Sequence, residues 1–407
     1  MTRSETSSYS GESGRKMRTE PVPKGIGSQS VKRNASLSHP FLDVSEGLNN
    51  RYIEEARAEG KRVVGYFCGY VPRELFDVAG LLPYRMRAPY TTTTDQADAY
   101  LSFVNCSYTR CVLEAMLNEA LDFIDGYVFA ASCDHLRRLY DNLRYLKRPA
   151  LCHILDLPHK THEDALDWYT GELEMLRRNM ERSFGLKIGE DEIASSVRRT
   201  NEVRKIVSSI QALRKREAPP VTGEDMHRIM MAVNSVPASV ASKNLAEIYS
   251  TLEEREPAGR YRARFIVMGS HMDDPAYIGA MEQMGGMVVA DTLCVGATQF
   301  SDLVDENENP LRALAARYLR KLSCPRMFES FDERYSRVVA TAREYAADGI
   351  VVETMKFCDT WGVDAQVFVD ALRADGFEVL RLEREYTRGG IGQLRTRTQA
   401  FLEMLRR

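Results

Sequence analysis

Apolar residues along this chain fall into short runs separated by longer segments with helical spacing. "KRVVGYFCGYVP", starting at Lys61, reads as a buried strand ending at Pro72. "RELFDVAG" predicts a short helix stopped by Gly80, and "LLPYRMRA" predicts the next strand. In "CSYTRCVLEAMLNEAL" the residues Val112, Leu113, Met116, Leu117 and Leu121 form one apolar stripe at helical period. Then come a strand in "DGYVFAAS", a helix in "DHLRRLYDNLRYLK" and a strand in "PALCHILDLP". Strands alternating with helices predict a parallel sheet of the α/β class.

From about His159 to Glu256 the pattern changes to long, charge-laced segments of helical period, such as "EDEIASSVRRTNEVRKIVSSIQALRKR". At Arg262 the strand–helix alternation resumes, with strands in "RFIVMGS", "GGMVVADTLC", "GIVVETMKFCD" and "FEVLRLERE" and a last helix in "IGQLRTRTQAFLEMLRR". The expected architecture is two open, mainly parallel flavodoxin/Rossmann-like α/β lobes with a helical segment between them. The lobes are placed at residues 46–158 and 258–407, and the helical segment at 159–257. Residues 1–45 are rich in Ser, Gly, Lys and Arg and poor in apolar residues, so they read as a disordered tail. "DGYVFAASCDHL" in the first lobe and "DGIVVETMKFCDTW" in the second have the same layout. Each runs Asp-Gly, apolar strand, Cys-Asp, helix start, which points to a faint internal repeat.

Composition narrows the partners. A net charge of −3 gives no reason to invoke nucleic acid. No apolar run approaches the roughly 20 residues of a membrane span, and the N-terminus has no apolar core of a secretory signal. Eight cysteines without such a signal suggest a reducing, cytoplasmic setting, where metal binding or plain burial explains cysteine better than disulfides.

In open α/β sheets functional groups collect at the carboxyl ends of strands. Cys133, Cys294 and Cys358 are expected there, and Cys106 immediately precedes a predicted helix, where thiolate is favoured. Thiols converging from separate segments suggest an iron–sulfur cluster or a zinc site, with core packing as the alternative. Cys152 reads as core, Cys324 has no evident partner, Cys68 lies in a strand by a probable pocket, and Cys111 sits one turn beyond Cys106. "GYFCGYVPRE" and "TRGGIGQLRTR" could each hold an anion on backbone N–H groups at a turn into a helix. His135 could be a general acid or base, or a surface cap.

Taken in order, "VVGYFCGYVPRELFDVAGLLPYRMRA", "CSYTR", "GYVFAASCDHLRRLYDNLRY", "DTLCVG", "VVETMKFCDT" and "EREYTRGGIGQLRTRTQAFLEML" resemble the 2-hydroxyacyl-CoA dehydratase / benzoyl-CoA reductase family, from about Val63 to Leu405. The resemblance implies an iron–sulfur enzyme subunit of anaerobic metabolism carrying a [4Fe–4S] cluster on Cys106, Cys133 and Cys358. One iron would stay open to substrate or water, and Cys294 would lie near the cluster without binding it. It implies an acyl-CoA thioester as substrate and a related second subunit or a second copy as partner. It also implies a separate ATP-hydrolysing iron–sulfur activator that delivers single electrons. Tyr70 and Glu74 are the candidates for acid/base or hydrogen-bonding roles toward substrate. Two alternatives stand beside this one. Extra thiols at Cys68, Cys111 and Cys294 would suit a double-cubane reductase of small molecules, and the chain could be a non-catalytic partner subunit.

Overall fold

The computed structural model describes residues 36–405 except residues 79 and 321–323. Asn50 opens the first helix, α1 (Arg51–Ala58), by accepting from the backbone N–H of Tyr52 and Ile53, which satisfies two donors that a helix start leaves open. The first lobe continues as β1 (Arg62–Tyr66), β2 (Leu81–Arg85), α2 (Ser107–Leu117), β3 (Gly126–Ala130), α3 (Asp134–Leu146) and β4 (Leu151–Leu155). All four strands are parallel, in the order β2-β1-β3-β4. The chain runs outward from β1 to β2 and then crosses back over β1 to reach β3. A crevice therefore opens between the carboxyl ends of β1 and β3, where the order reverses. Cys68 follows β1 there, and Cys133 follows β3.

The helical segment comprises α4 (Glu163–Phe184), α5 (Glu190–Leu213), α6 (Gly223–Val233) and α7 (Ala238–Glu254). The second lobe follows as β5 (Ala263–Gly269), α8 (Pro275–Gln283), β6 (Gly286–Asp291), α9 (Pro310–Leu319), α10 (Phe331–Glu344), β7 (Gly349–Met355), α11 (Asp359–Ala374), β8 (Val379–Arg384) and α12 (Ile391–Met404). Its strands are again all parallel, in the order β6-β5-β7-β8. The two sheets thus have one topology, and the repeat read from the paired Asp-Gly…Cys-Asp motifs maps onto equivalent strands, β3 and β7. Strands β2, β3, β5, β6 and β7 are buried along their whole length, as expected when helices cover both faces of a parallel sheet. Gly269 closes β5 at φ +143, and a Cβ there would stand 1.8 Å from the carbonyl oxygen of Glu353, so only glycine fits.

Two features differ from the sequence reading. Residues 36–45, assigned to the tail, are packed: Leu37, Phe41, Leu42 and Val44 are buried in one cluster with residues of α5, α6 and α7. Ser36 Oγ and the Leu37 N–H donate to Asp225 at 2.8 and 3.1 Å. Burial of four apolar side chains offsets the ordering entropy that the polar composition suggested would win. Residues 1–35 of that expected tail lie outside the described residues. The second difference concerns the core. Val304 and apolar residues of α9 join the cluster of β1, β3, β4 and α4, so a stretch from the second half of the sequence covers the first lobe. Among the described residues no helix is long and apolar enough to cross a membrane.

Candidate functional site

Cys106, Cys133 and Cys358 occupy the same local position. Each is the N-cap residue of a helix, α2, α3 and α11, and none of the three side chains makes a capping hydrogen bond. Ser, Thr, Asp or Asn would normally stand there and accept from the first-turn N–H groups. A thiol does this poorly, so the three helices begin with their positive ends directed at sulfur. Cys133 and Cys358 come from equivalent switch points of the two sheets, and Cys106 comes from the β2–α2 connection.

One hydrogen-bonded chain ties the three caps together. The backbone N–H of Cys106 donates to His135 Nδ1 at 2.6 Å. The other ring nitrogen, Nε2, lies 2.7 Å from Asp359 Oδ1. His135 is in the first turn of α3, two residues after Cys133, and Asp359 directly follows Cys358. Because Nδ1 accepts, the neutral ring carries its proton on Nε2 and donates it to the carboxylate. His135 is buried, so of the roles considered from sequence the surface cap is replaced by this bridge. A second tie runs from the Tyr386 N–H to Ser107 Oγ at 2.7 Å, next to Cys106.

Hydroxyl oxygens lie beside two of the sulfurs, although the Thr109 O–H itself donates to the Cys106 carbonyl at 2.9 Å. Thr109 Oγ1 lies 3.6 Å from Cys106 Sγ and Thr360 Oγ1 lies 3.6 Å from Cys358 Sγ. Burial pushes the Cys106 thiol up to about 11 and raises Cys133 and Cys358 as well. Negative charge on Cys358 further raises Cys106, and charge on Cys106 and Cys358 raises Cys133. Three sulfurs that feel one another in a low-dielectric site favour a cation among them. Cys106 is buried, and Cys133 and Cys358 pack against the same first-lobe cluster. Among the described residues no three His, Cys, Asp or Glu side chains close around a single ion. The soft donors, separate segments and uncapped helix starts fit a multinuclear thiolate-held group, which spreads its ligands over its corners.

The other candidates divide. Tyr70 is buried beside Cys68 and Cys324, and burial, then their negative charge, holds its phenol well above the usual range. Glu74 is 0 % exposed and faces no opening. One carboxylate oxygen pairs with Arg204 and the other accepts from Tyr318 Oη at 2.8 Å. Burial alone would raise this carboxyl, but Arg204 and Arg317 hold it below its usual range. The proposed acid/base role toward substrate therefore gives way to an ion pair joining the first lobe to α5 and α9. Cys111 is fully buried in the core, and burial pushes its thiol up to about 12. Cys324 lies in the electrostatic reach of Cys68, Cys294 and Cys358, a proximity that its loop position before Pro325 did not reveal. "TRGGIGQLRTR" lines a pocket of about 270 Å³ together with Tyr277, Lys356, Arg384 and Tyr386.

Sequence reasoning missed the group that closes the cleft between the lobes. Tyr386 Oη donates to Asp273 Oδ2 at 2.5 Å and accepts from the Ala88 N–H at 2.8 Å. His271 stands 3.2 Å from the same Asp273 oxygen and stacks on Tyr108 at 4.1 Å between centroids. The run "SHMDD" directly after a predicted strand was the available signal.

Residues 68–405 match the family model described as 2-hydroxyglutaryl-CoA dehydratase, D-component. The chain belongs to this D-component family. Among its relatives, a benzoyl-CoA reductase subunit of Thauera aromatica is 24% identical over 352 residues, covering 85% of this chain and 91% of that protein. The (R)-phenyllactyl-CoA dehydratase beta subunit of Clostridium sporogenes is 22% identical over 366 residues, covering 90% and 97%. The beta subunit of (R)-2-hydroxyglutaryl-CoA dehydratase from Acidaminococcus fermentans is 22% identical over 378 residues, covering 91% and 99%. The D-component chain is thus similar over nearly its whole length to subunits of multi-subunit enzymes, and the matched region contains all three cap cysteines.

Proposed function

We propose that this D-component chain is the cluster-bearing subunit of an enzyme that dehydrates a 2-hydroxyacyl-CoA or reduces an aromatic acyl-CoA. Cys106, Cys133 and Cys358 hold a [4Fe–4S] cluster. The observation that carries the reading is the His135 bridge, which fixes three uncapped, cysteine-headed helix starts from both lobes against one another. When bound, the cluster supplies low-potential single electrons, chemistry that no side chain provides. The chain's own part is to hold and surround that group. His135 orients the Cys106 and Cys358 segments, as an outer partner orients ligands. Thr109 donates to the Cys106 carbonyl and so fixes the start of α2, and Thr360 Oγ1 lies beside the Cys358 sulfur. Buried aromatic residues such as Tyr70, Tyr108 and Tyr386 keep water from the site. The pocket at "TRGGIGQLRTR", with Lys356 and Arg384, suits the anionic end of a coenzyme A thioester.

The names of the relatives support a partner subunit, and a second copy of this chain is the alternative partner. A separate ATP-hydrolysing iron–sulfur protein would deliver the electrons. Anaerobic reconstitution followed by iron and sulfide analysis and electron paramagnetic resonance tests the reading. About four irons per chain are expected, lost in Cys106→Ala, Cys133→Ala and Cys358→Ala. Colourless, iron-free protein after reconstitution overturns it. Cys68 and Cys294 both act electrostatically on Cys324, and these extra thiols favour one second reading, the double-cubane reductase. Roughly eight irons per chain, reduced by Cys294→Ala, would replace the first reading with that one.

A further inference from the structure

Arg85, the last residue of β2, is a buried cation for which the described residues supply no carboxylate partner. Its residue is 3% exposed. Its Nε and Nη1 are buried with no acceptor, and among the described residues no carboxylate forms an ion pair with it. The other buried arginines are served differently. Arg73, Arg87, Arg204, Arg214, Arg264, Arg317, Arg326 and Arg334 each donate to a named oxygen. The walls around Arg85 are aromatic. Its guanidinium lies 5.5 Å from the centroid of the Tyr66 ring, while the Tyr66 hydroxyl donates to Asn234 at 3.2 Å and the Tyr108 hydroxyl to the Met86 carbonyl at 2.9 Å. Both phenols turn their polar ends elsewhere. The groups that raise Arg85 most strongly, Cys294, Tyr108, Tyr66 and Cys68, are thiols and phenols.

An isolated buried guanidinium is costly unless an anion completes it. Arg85 stands at the carboxyl end of a parallel strand, the side of an open sheet where ligands bind. Cys68, which follows the neighbouring strand β1, sits at φ +72, backbone strain of the kind that collects at ligand sites. Cys68, from the first lobe, and Cys294, from the second, both act on Arg85 and are part-exposed. We propose that Arg85, rimmed by Cys68 and Cys294, is an anion subsite that receives a negatively charged oxygen of the acyl group. That oxygen is either a carboxylate on the acyl chain or the thioester oxygen as it gains charge. A fixed cation in a water-poor site stabilises such an oxygen strongly. The acyl assignment rests on the acyl-CoA reading above, whereas the anion subsite does not.

The test uses the full chain, reconstituted anaerobically, and follows alkylation of Cys294 by iodoacetate and by iodoacetamide with peptide mass spectrometry. Cys152, in β4, is the internal reference. The ratio of iodoacetate to iodoacetamide modification at Cys294 is expected to exceed that at Cys152 on the order of tenfold. Arg85→Met should abolish the excess and Arg85→Lys should keep most of it. The Lys variant and a competition arm in the unaltered protein make the result independent of whether the Met variant folds. In the competition arm, glutarate slowing iodoacetamide at Cys294 identifies a carboxylate as the ligand, and protection by butyryl-CoA alone identifies the thioester oxygen. Equal ratios at the two cysteines, an excess that survives Arg85→Met, or a Cys294 inert to both reagents overturns the proposal. Iron content is measured on the same samples. Charge selectivity in iron-free protein would end the acyl-CoA reading and leave the anion subsite standing.

Discussion

At the scale of single residues, the three cysteine-headed helix starts depend on groups other than the thiols. His135 is the clearest case, since one imidazole holds both the Cys106 backbone and Asp359. His135→Gln should fold, yet lose iron to a chelator about tenfold or more faster than the unaltered chain, the usual scale for a lost outer partner. Chelator-challenge kinetics followed by absorbance would check this. Glu74 has the opposite character. Glu74→Gln removes one member of a buried pair and leaves Arg204 charged inside the protein, so a loss of about 3 kcal/mol is expected in urea unfolding. Tyr318→Phe, which removes one neutral donor, should cost on the order of 1 kcal/mol. The matching helix-start positions of Cys133 and Cys358 were legible because Cys-Asp recurs after two similar apolar runs, whereas Cys106, followed by Ser107, was placed only by the helical stripe after it. Arg85 was not legible, since its importance lies in what fails to surround it, and a sequence does not list neighbours.

At the scale of secondary-structure elements, the helix starts trade stability against loading. A cysteine at a helix N-cap gives up capping energy that serine would supply. Cys133→Ser is therefore expected to match the unaltered apo chain in thermal stability or exceed it slightly, while binding far less iron. Cys133→Ala should lose the iron with no such gain. Paired thermal melts and iron analyses on these two variants separate folding from loading. Most elements could be read from periodicity, because buried parallel strands are short apolar runs and the helices between them are amphipathic. Residues 36–45 were misread for a physical reason: Leu37, Phe41, Leu42 and Val44 are spaced among Ser, His and Pro. Their partners on α5, α6 and α7 are far away in sequence. The assignment of α9 to the first lobe's face was likewise beyond local pattern, since its partners on β1, β3, β4 and α4 are far away in sequence.

For the molecule as a whole, pH enters through buried imidazoles. His227 on α6 is fully enclosed, and burial pulls it down to about 4. The unfolded chain binds this proton at its ordinary value near 6.5 and the folded chain does not. Stability is therefore full above about 6.5 and falls as the pH drops toward 4, by up to about 3 kcal/mol from this residue. Urea midpoints at pH 7 and pH 5 should show the fall, and His227→Gln should flatten it. The packing of α9 has a consequence for how such a molecule can be divided. A boundary drawn through the helices between the sheets would separate the front half from a cover supplied by the rear half. Either piece made alone would show a bare apolar flank, so the two sheets stand or fall together.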